Sequence, residues 1–553
     1  MTIDDYKLTI FLLIGLFFVF GCDNAPNENC TSVGRPARIR PDYRDTVIPP
    51  NIAPLNFTVE EPGSRYFVRI YSDQGNPIEI SSRTSRIFIP QDSWRTLLDA
   101  NRGRQFSIDV FVKQAASASS PDVRSFPWQR FSTVMAKIAN EDIDAFLVYR
   151  KIRPGHRLWR DMGIYQRNLQ QFDESLVLDN GYFKQGCLNC HTFCGNRTDK
   201  MLIGIRSVDY GNSALLVEDG RVSKIGTKFG YTSWHPSGKV AAFSVNDVRL
   251  FLHSSASEIR DVMDFDSFLA YYLVDTKVAK TSPDIARKDR LETYPAWSPD
   301  GQYLYFCSAE RPSSDSAAIP STEFTLSAVE GLGTSFENYS QIKYDLVRIS
   351  YDLAHDRWGQ AETVLSGAAT GLSILLPRVS PDGRWLLFCM CNYGCFPVYQ
   401  HSSDLYMIDL ADARETGQYK YRRLQINSDQ SESWHSWSKN SRWIAFSSKR
   451  QSGAFTRIYI SYVDADGRVY KPIVLPQRDP ACYDWCLWTY SLPEFVTEPV
   501  RAAKEKLGRV VRSSGHVSIE MPITAATPKV LPPGPKDQLP RLGSGQAWMG
   551  ERE

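Results

Sequence analysis

Two thiols two residues apart, followed at once by an imidazole, form the sequence Cys187-Leu188-Asn189-Cys190-His191. In c-type haem attachment, two such sulfurs add across the vinyl groups of one porphyrin while the adjacent imidazole binds the iron. This spacing assigns one covalent haem c to Cys187 and Cys190, with His191 as the proximal iron ligand. The same residues admit a Cys187–Cys190 disulfide, or a zinc site with Cys194 as a third thiolate. Candidates for the distal haem position are Met162, Met201, His156 and the histidines further along the chain. A redox-active C-x-x-C of the thioredoxin kind expects a βαβ setting, which the surrounding residues lack.

Haem attachment of this kind needs an exported chain, and the first residues supply the signal. Lys7 precedes an apolar run from Leu8 to Phe20, too short for a comfortable membrane-spanning helix of roughly 20 residues. The run ends in Val19-Phe20-Gly21-Cys22, which resembles the lipobox of bacterial lipoproteins. That resemblance implies a signal peptide over 1–21, lipidation of Cys22, and a place on a bacterial cell membrane, periplasmic or at the cell surface. Phe20 departs from the small residue usual there. Residues 22–50 are rich in Asn, Pro and charge and read as a flexible tether.

The chain has 553 residues, 42% hydrophobic and 12% aromatic, enough for two or three cores. Lys plus Arg 64 against Asp plus Glu 62 leaves a net charge of +2, which excludes the basic footprint of a nucleic-acid binder. Among the 11 cysteines, Cys391 and Cys395 form one C-x-x-x-C pair, and Cys482 and Cys486 another. In an oxidising compartment these four read as disulfides bracing long loops, ahead of a zinc site. Cys307 and Cys389 close equivalent repeat strands and read as packing residues.

Those strands belong to four copies of one pattern. They begin at Ser233-Trp-His-Pro-Ser-Gly, Ala296-Trp-Ser-Pro-Asp-Gly, Arg378-Val-Ser-Pro-Asp-Gly and Ser436-Trp-Ser-Lys-Asn-Ser. Each passes from a short strand through a tight turn into an alternating apolar strand ending near Phe243, Phe306, Phe388 or Phe446. The copies are spaced more widely than the ~40–45 residues of a compact blade, so some blades carry long loops. The pattern resembles the WD-like blades of the TolB family over roughly residues 200 to 490. It implies a β-propeller of five to seven blades, six being that family's usual number.

Before the repeats, alternating strands over 51–130 suggest a small β-sandwich of immunoglobulin or fibronectin type. The expected fold is therefore mainly β: a small N-terminal β-sandwich, a connecting segment with the thiol motif over 131–200, and a propeller over 201–498. Residues 499–553 read as a largely disordered tail. As a whole the chain resembles exported bacterial propeller proteins labelled cytochrome c biogenesis factors. It has no G-x-S-x-G, no H-E-x-x-H and no telling carboxylate pair, so the sequence argues for an electron carrier or binding scaffold over an enzyme. The expected partners are a membrane, through the lipid anchor, and an envelope protein or redox partner. The alternative is a TolB-like interaction scaffold in which Cys187 and Cys190 form a structural disulfide or metal site.

Overall fold

A computed structural model describes residues 26, 30–114, 127–153, 161–227, 229–252, 258, 260–311 and 339–517. The leader with Cys22, His156 and the residues from 518 onward lie outside the described residues. No helix among the described residues is long and apolar enough to cross a membrane.

The repeats pair into six four-stranded antiparallel sheets, giving a mainly β molecule built around a six-bladed propeller. From the channel outward, blade 2 comprises Cys187–Cys194, Arg197–Arg206, Ser213–Glu218 and Arg221–Ile225. The inner strands of blades 3 to 6 are Thr232–Trp234, Arg290–Trp297, Ser373–Val379 and Glu432–Trp437. Blade 1 is assembled from both ends of the repeat region. Its inner strand Thr489–Val496 pairs antiparallel with Phe146–Ile152, followed outward by Met162–Asn168 and Glu174–Asp179.

This closure corrects the expected domain map. The segment 131–200 is no connector: it holds three strands of blade 1 and the inner strand of blade 2, so the propeller begins at Phe146 rather than at 201. The strand at 146–152 finds its inner partner more than 300 residues downstream, a pairing that local periodicity cannot reveal.

The turns between first and second strands repeat one hydrogen-bonded unit. The Ser298, Ser380 and Ser438 hydroxyls bond the side chains of Asp300, Asp382 and Asn440. Each also accepts the amide five residues on, from Tyr303 at 3.0 Å, Trp385 at 2.9 Å and Trp443 at 2.9 Å. Gly301 and Gly383 take φ of 74°, and Ser441 takes 62° in the copy that lacks glycine. A non-glycine residue there bears roughly 1–2 kcal/mol of strain. The Ser441 hydroxyl offsets part of it by accepting the Asp382 amide at 3.0 Å.

The N-terminal unit has a seven-stranded sheet and a three-stranded sheet. It also contains a helix the strand pattern did not announce, Gln91–Ala100, which buries Trp94, Leu97 and Leu98 at i, i+3 and i+4 spacing. Trp94 meets Phe106 of the larger sheet edge-on at 5.8 Å and donates to the Ile52 carbonyl at 3.1 Å. The unit seats on blade 6, where the buried Trp443 indole donates to the Asp142 carbonyl at 3.1 Å and Lys471 pairs with Asp42 at 2.8 Å.

The expected tail is ordered as far as residue 517. The helix Lys504–Arg512 buries Leu507 and Val511, and Lys224 caps its end by donating to the Val511 carbonyl at 2.8 Å and that of Ser513 at 2.9 Å.

Two glycines test this reading of the turns. Gly371 has φ of 72° with open space around a built Cβ, so Gly371→Ala is expected to cost roughly 1–2 kcal/mol. At Gly301 the same atom would stand 2.3 Å from the His235 ring, so Gly301→Ala is expected to cost roughly 3 kcal/mol or more. Urea unfolding midpoints of the two variants rank them.

Candidate functional site

Each inner strand delivers one residue doublet to the central channel. These are Cys190-His191, Tyr231-Thr232, Tyr294-Pro295, Leu376-Pro377, Trp434-His435 and Leu492-Pro493, and they line one cavity with Arg378 and Glu494. The ladder register jumps near the doublet in blades 1, 2, 4, 5 and 6, the mark of a β-bulge. Tyr294, Leu376, Trp434 and Leu492 there take φ of 54°, 57°, 47° and 54°. Left-handed backbone at a bulky residue costs of order 1–3 kcal/mol, and four equivalent instances around one channel mark a constrained ring. Proline in second place suits a bulge, because it leaves no amide without a partner.

The thiol motif is therefore part of a repeat. His191 holds in blade 2 the place that His435 holds in blade 6, and the two rings do the same thing. His191 Nε2 faces the Val148 carbonyl at 3.4 Å, and His435 Nε2 faces the Leu387 carbonyl at 3.2 Å. Each carbonyl lies on the second strand of the preceding blade, so each imidazole stitches its blade to the one before it. Burial pushes both imidazoles down to about 3, with the Arg378 cation adding in the same direction. The second nitrogen of His435 lies 3.7 Å from Cys389 Sγ.

The two sulfurs have different surroundings. Cys190 stands in the channel among Tyr231, Tyr294 and Trp434, whose rings approach at 4.2 Å (Tyr231–Tyr294) and 5.8 Å (Tyr231–Trp434). Cys187 opens the inner strand and packs against the core between blades 1 and 2, with Arg206 Nη2 3.4 Å from its sulfur. Arg206 interacts electrostatically with Cys187, Tyr231 and Cys190. His191 turns toward blade 1.

Cys187 and Cys190 are half-exposed thiols on one inner strand, as an attached haem would require. His191, expected as the proximal iron ligand, is not presented to a group on those sulfurs: its ring is 2% exposed and bound to the neighbouring blade. The cavity among the doublets measures about 40 Å³, against ~300–1,000 Å³ for a typical ligand pocket.

The other candidates resolve into packing. Met162 is buried and its sulfur receives the Leu188 amide at 3.1 Å, while Met201 is buried in the core between blades 1 and 2. Cys194 lies at the far end of the strand, its thiol 3.9 Å from the His235 carbonyl. Among the described residues no cluster of three or more His, Cys, Asp or Glu could hold a metal ion. Cys391, Cys395, Cys482 and Cys486 are thiols, so the expected disulfides are not formed. Cys391 caps the Tyr393 carbonyl at 3.4 Å, and Cys482 and Cys486 share one short helix in which they hydrogen-bond each other.

Sequence reasoning missed Arg378 and Glu494. They follow the doublets of blades 5 and 1 in Leu-Pro-Arg-Val and Leu-Pro-Glu-Phe, and pair at 2.9 Å beside the cavity. Burial raises the Glu494 carboxyl although Arg378 opposes the shift. The proline two residues before an aromatic or valine in three of the copies, at Pro295, Pro377 and Pro493, was the available signal.

A six-bladed propeller with a thiol-bearing channel mouth is thus the class that fold and site define. No family model matches the chain, and no curated protein matches it. Solved structures similar to it include a puromycin hydrolase (14% identity, 59% of this chain and 45% of that one, TM-score 0.34). Others are an oligogalacturonate lyase in complex with manganese (11%, 73% and 99%, TM-score 0.31) and the hydrazine synthase of Kuenenia stuttgartiensis (13%, 51% and 64%, TM-score 0.28). The chain spans less than half the length of the puromycin hydrolase.

The two buried imidazoles predict an acid limb in stability. An unfolded imidazole takes a proton near 6.5, whereas the folded ones resist protonation down to about 3. The unfolded chain therefore binds more protons between these values, and stability falls as pH drops through that window. A His191→Gln, His435→Gln variant, whose amides can still donate to the same carbonyls, is expected to lose less stability between pH 6.5 and 4. Urea midpoints against pH measure the difference.

Proposed function

We propose that this protein is an exported propeller, anchored to a membrane through Cys22, that carries one haem c by thioether bonds to Cys187 and Cys190. It serves electron transfer, or presents the haem as an interaction platform to an envelope or redox partner. One observation supports this above the others: both thiols are partly exposed on one inner strand, with the Arg206 guanidinium 3.4 Å from the Cys187 sulfur and acting electrostatically on Cys190 as well. A bound haem would supply one-electron chemistry there. Cys187 and Cys190 would hold it, Tyr231, Tyr294 and Trp434 surround Cys190, and His191 locks the thiol-bearing strand to blade 1.

The second reading is a non-enzymatic interaction scaffold with a Cys187–Cys190 disulfide. Its support is that His191 repeats the inter-blade bond of His435, which no C-x-x-C immediately precedes in sequence: the imidazole needs no iron to explain it.

A pyridine haemochrome assay on purified, denatured protein separates the two. The proposal expects a haem spectrum that survives denaturation and disappears in the Cys187→Ser, Cys190→Ser variant. Haem lost on denaturing the parent, or retained by the double variant, overturns it.

A further inference from the structure

Charged side chains gather around Tyr399, on which Arg260, Glu258, Arg150 and Asp261 all act electrostatically. Glu258 is shared between Lys449 and Arg260, the latter at 2.8 Å. Asp261 is committed to the Val262 amide at 2.8 Å and the Tyr393 hydroxyl at 2.8 Å. Arg150 and Arg206 stand apart from these. Arg150 donates to the Leu188 carbonyl at 3.2 Å and to the Ser491 hydroxyl at 3.3 Å. Arg206 lies against Cys187 with its side chain exposed. Among the described residues neither guanidinium has a carboxylate within ion-pair distance.

The two arginines come from the second strands of blades 1 and 2 and converge on one stretch of chain. Arg150 holds the carbonyl of Leu188 and Arg206 the sulfur of Cys187, and both act electrostatically on Tyr231. A guanidinium fork matches a carboxylate in shape as well as charge. Beside an aromatic floor and half out of bulk water, such a pair attracts anions more strongly than isolated surface arginines do.

The geometry points to a carboxylate-binding site formed by Arg150 and Arg206 at the channel mouth, which seats the acid group of a small ligand next to Cys187. The carboxylate has two sources: the propionate side chains of a tetrapyrrole attached to the adjacent thiols, or a free small organic acid. The first source rests on the proposed function, and the second does not.

Paired alkylating agents test the site on the purified full chain when the thiols carry no haem. Iodoacetate and iodoacetamide differ in charge, and peptide mapping reads their rates at each cysteine. The ratio of iodoacetate to iodoacetamide rate at Cys187 is expected to exceed that at the half-buried Cys482 by about tenfold at low salt. Arg206→Gln should remove that excess, Arg206→Lys should keep part of it, and Arg150→Gln should lower it. An equal ratio at Cys187 and Cys482, or one that Arg206→Gln leaves unchanged, overturns the site. When haemochrome shows the thiols occupied, the readout is the haem reduction potential, because neighbouring cations favour the reduced form. Arg206→Gln is expected to lower it, with the gap closing at high salt, and an unchanged potential overturns the propionate source. A silent haemochrome with a positive alkylation ratio removes the haem reading and keeps the site.

Discussion

The pairing of Thr489–Val496 with Phe146–Ile152 is the contact on which the rest of the molecule depends. Without it Phe146–Ile152 would present an unpaired edge inside the ring, and blade 1 would lose its channel-facing strand. The seam is reinforced across three blades. Asn196, in the first turn of blade 2, donates to the Trp437 carbonyl at 3.1 Å and the Phe495 carbonyl at 2.9 Å, and its own carbonyl accepts the Thr497 amide at 3.1 Å. One side chain therefore ties the inner strands of blades 6 and 1 to the turn that follows the thiol motif. The closing strand also brings Leu492, Pro493 and Glu494 against Cys190 and His191, so closing the ring and completing the channel are one event.

The channel itself stores strain. Four bulky residues in left-handed conformation face one axis, and the surrounding sheets hold them there. The bulge that turns these residues inward also changes which neighbours a strand offers to each side. In blade 2 this separates the motif's chemistry, with Cys190 in the channel and the imidazole against blade 1. The N-terminal unit stiffens the same region from outside by seating on blade 6, the blade beside the closing seam.

Much of the architecture was legible. The Pro-Ser-Gly and Pro-Asp-Gly turns located blades 3 to 5, and in blades 4 and 5 the serine and glycine of each turn have local reasons for their conformation, so the pattern survives in isolation. Strands quoted from alternation, such as that around Phe106–Val112, lie within observed strands. Blade 1 and the first half of blade 2 were not legible. Their turns lack the repeat signature, and the partner strand of Phe146–Ile152 is encoded at the far end of the chain. The helix Gln91–Ala100 escaped for a different reason: its apolar residues are few, and period-two strands surround it.

By itself the sequence determined residue types, turn chemistry and strand alternation, because these depend on neighbours a few positions away. It named Cys187, Cys190 and His191 as a unit, and of these Cys190 and His191 line the channel cavity. Only the tertiary structure decided which way each side chain faces. Facing follows from register, register follows from the bulge and from strands hundreds of residues distant, and a shift of one residue moves a side chain to the other side of its sheet. That is why the imidazole next to Cys190 in sequence belongs to the interface with blade 1, while Arg206, distant in sequence, stands beside Cys187.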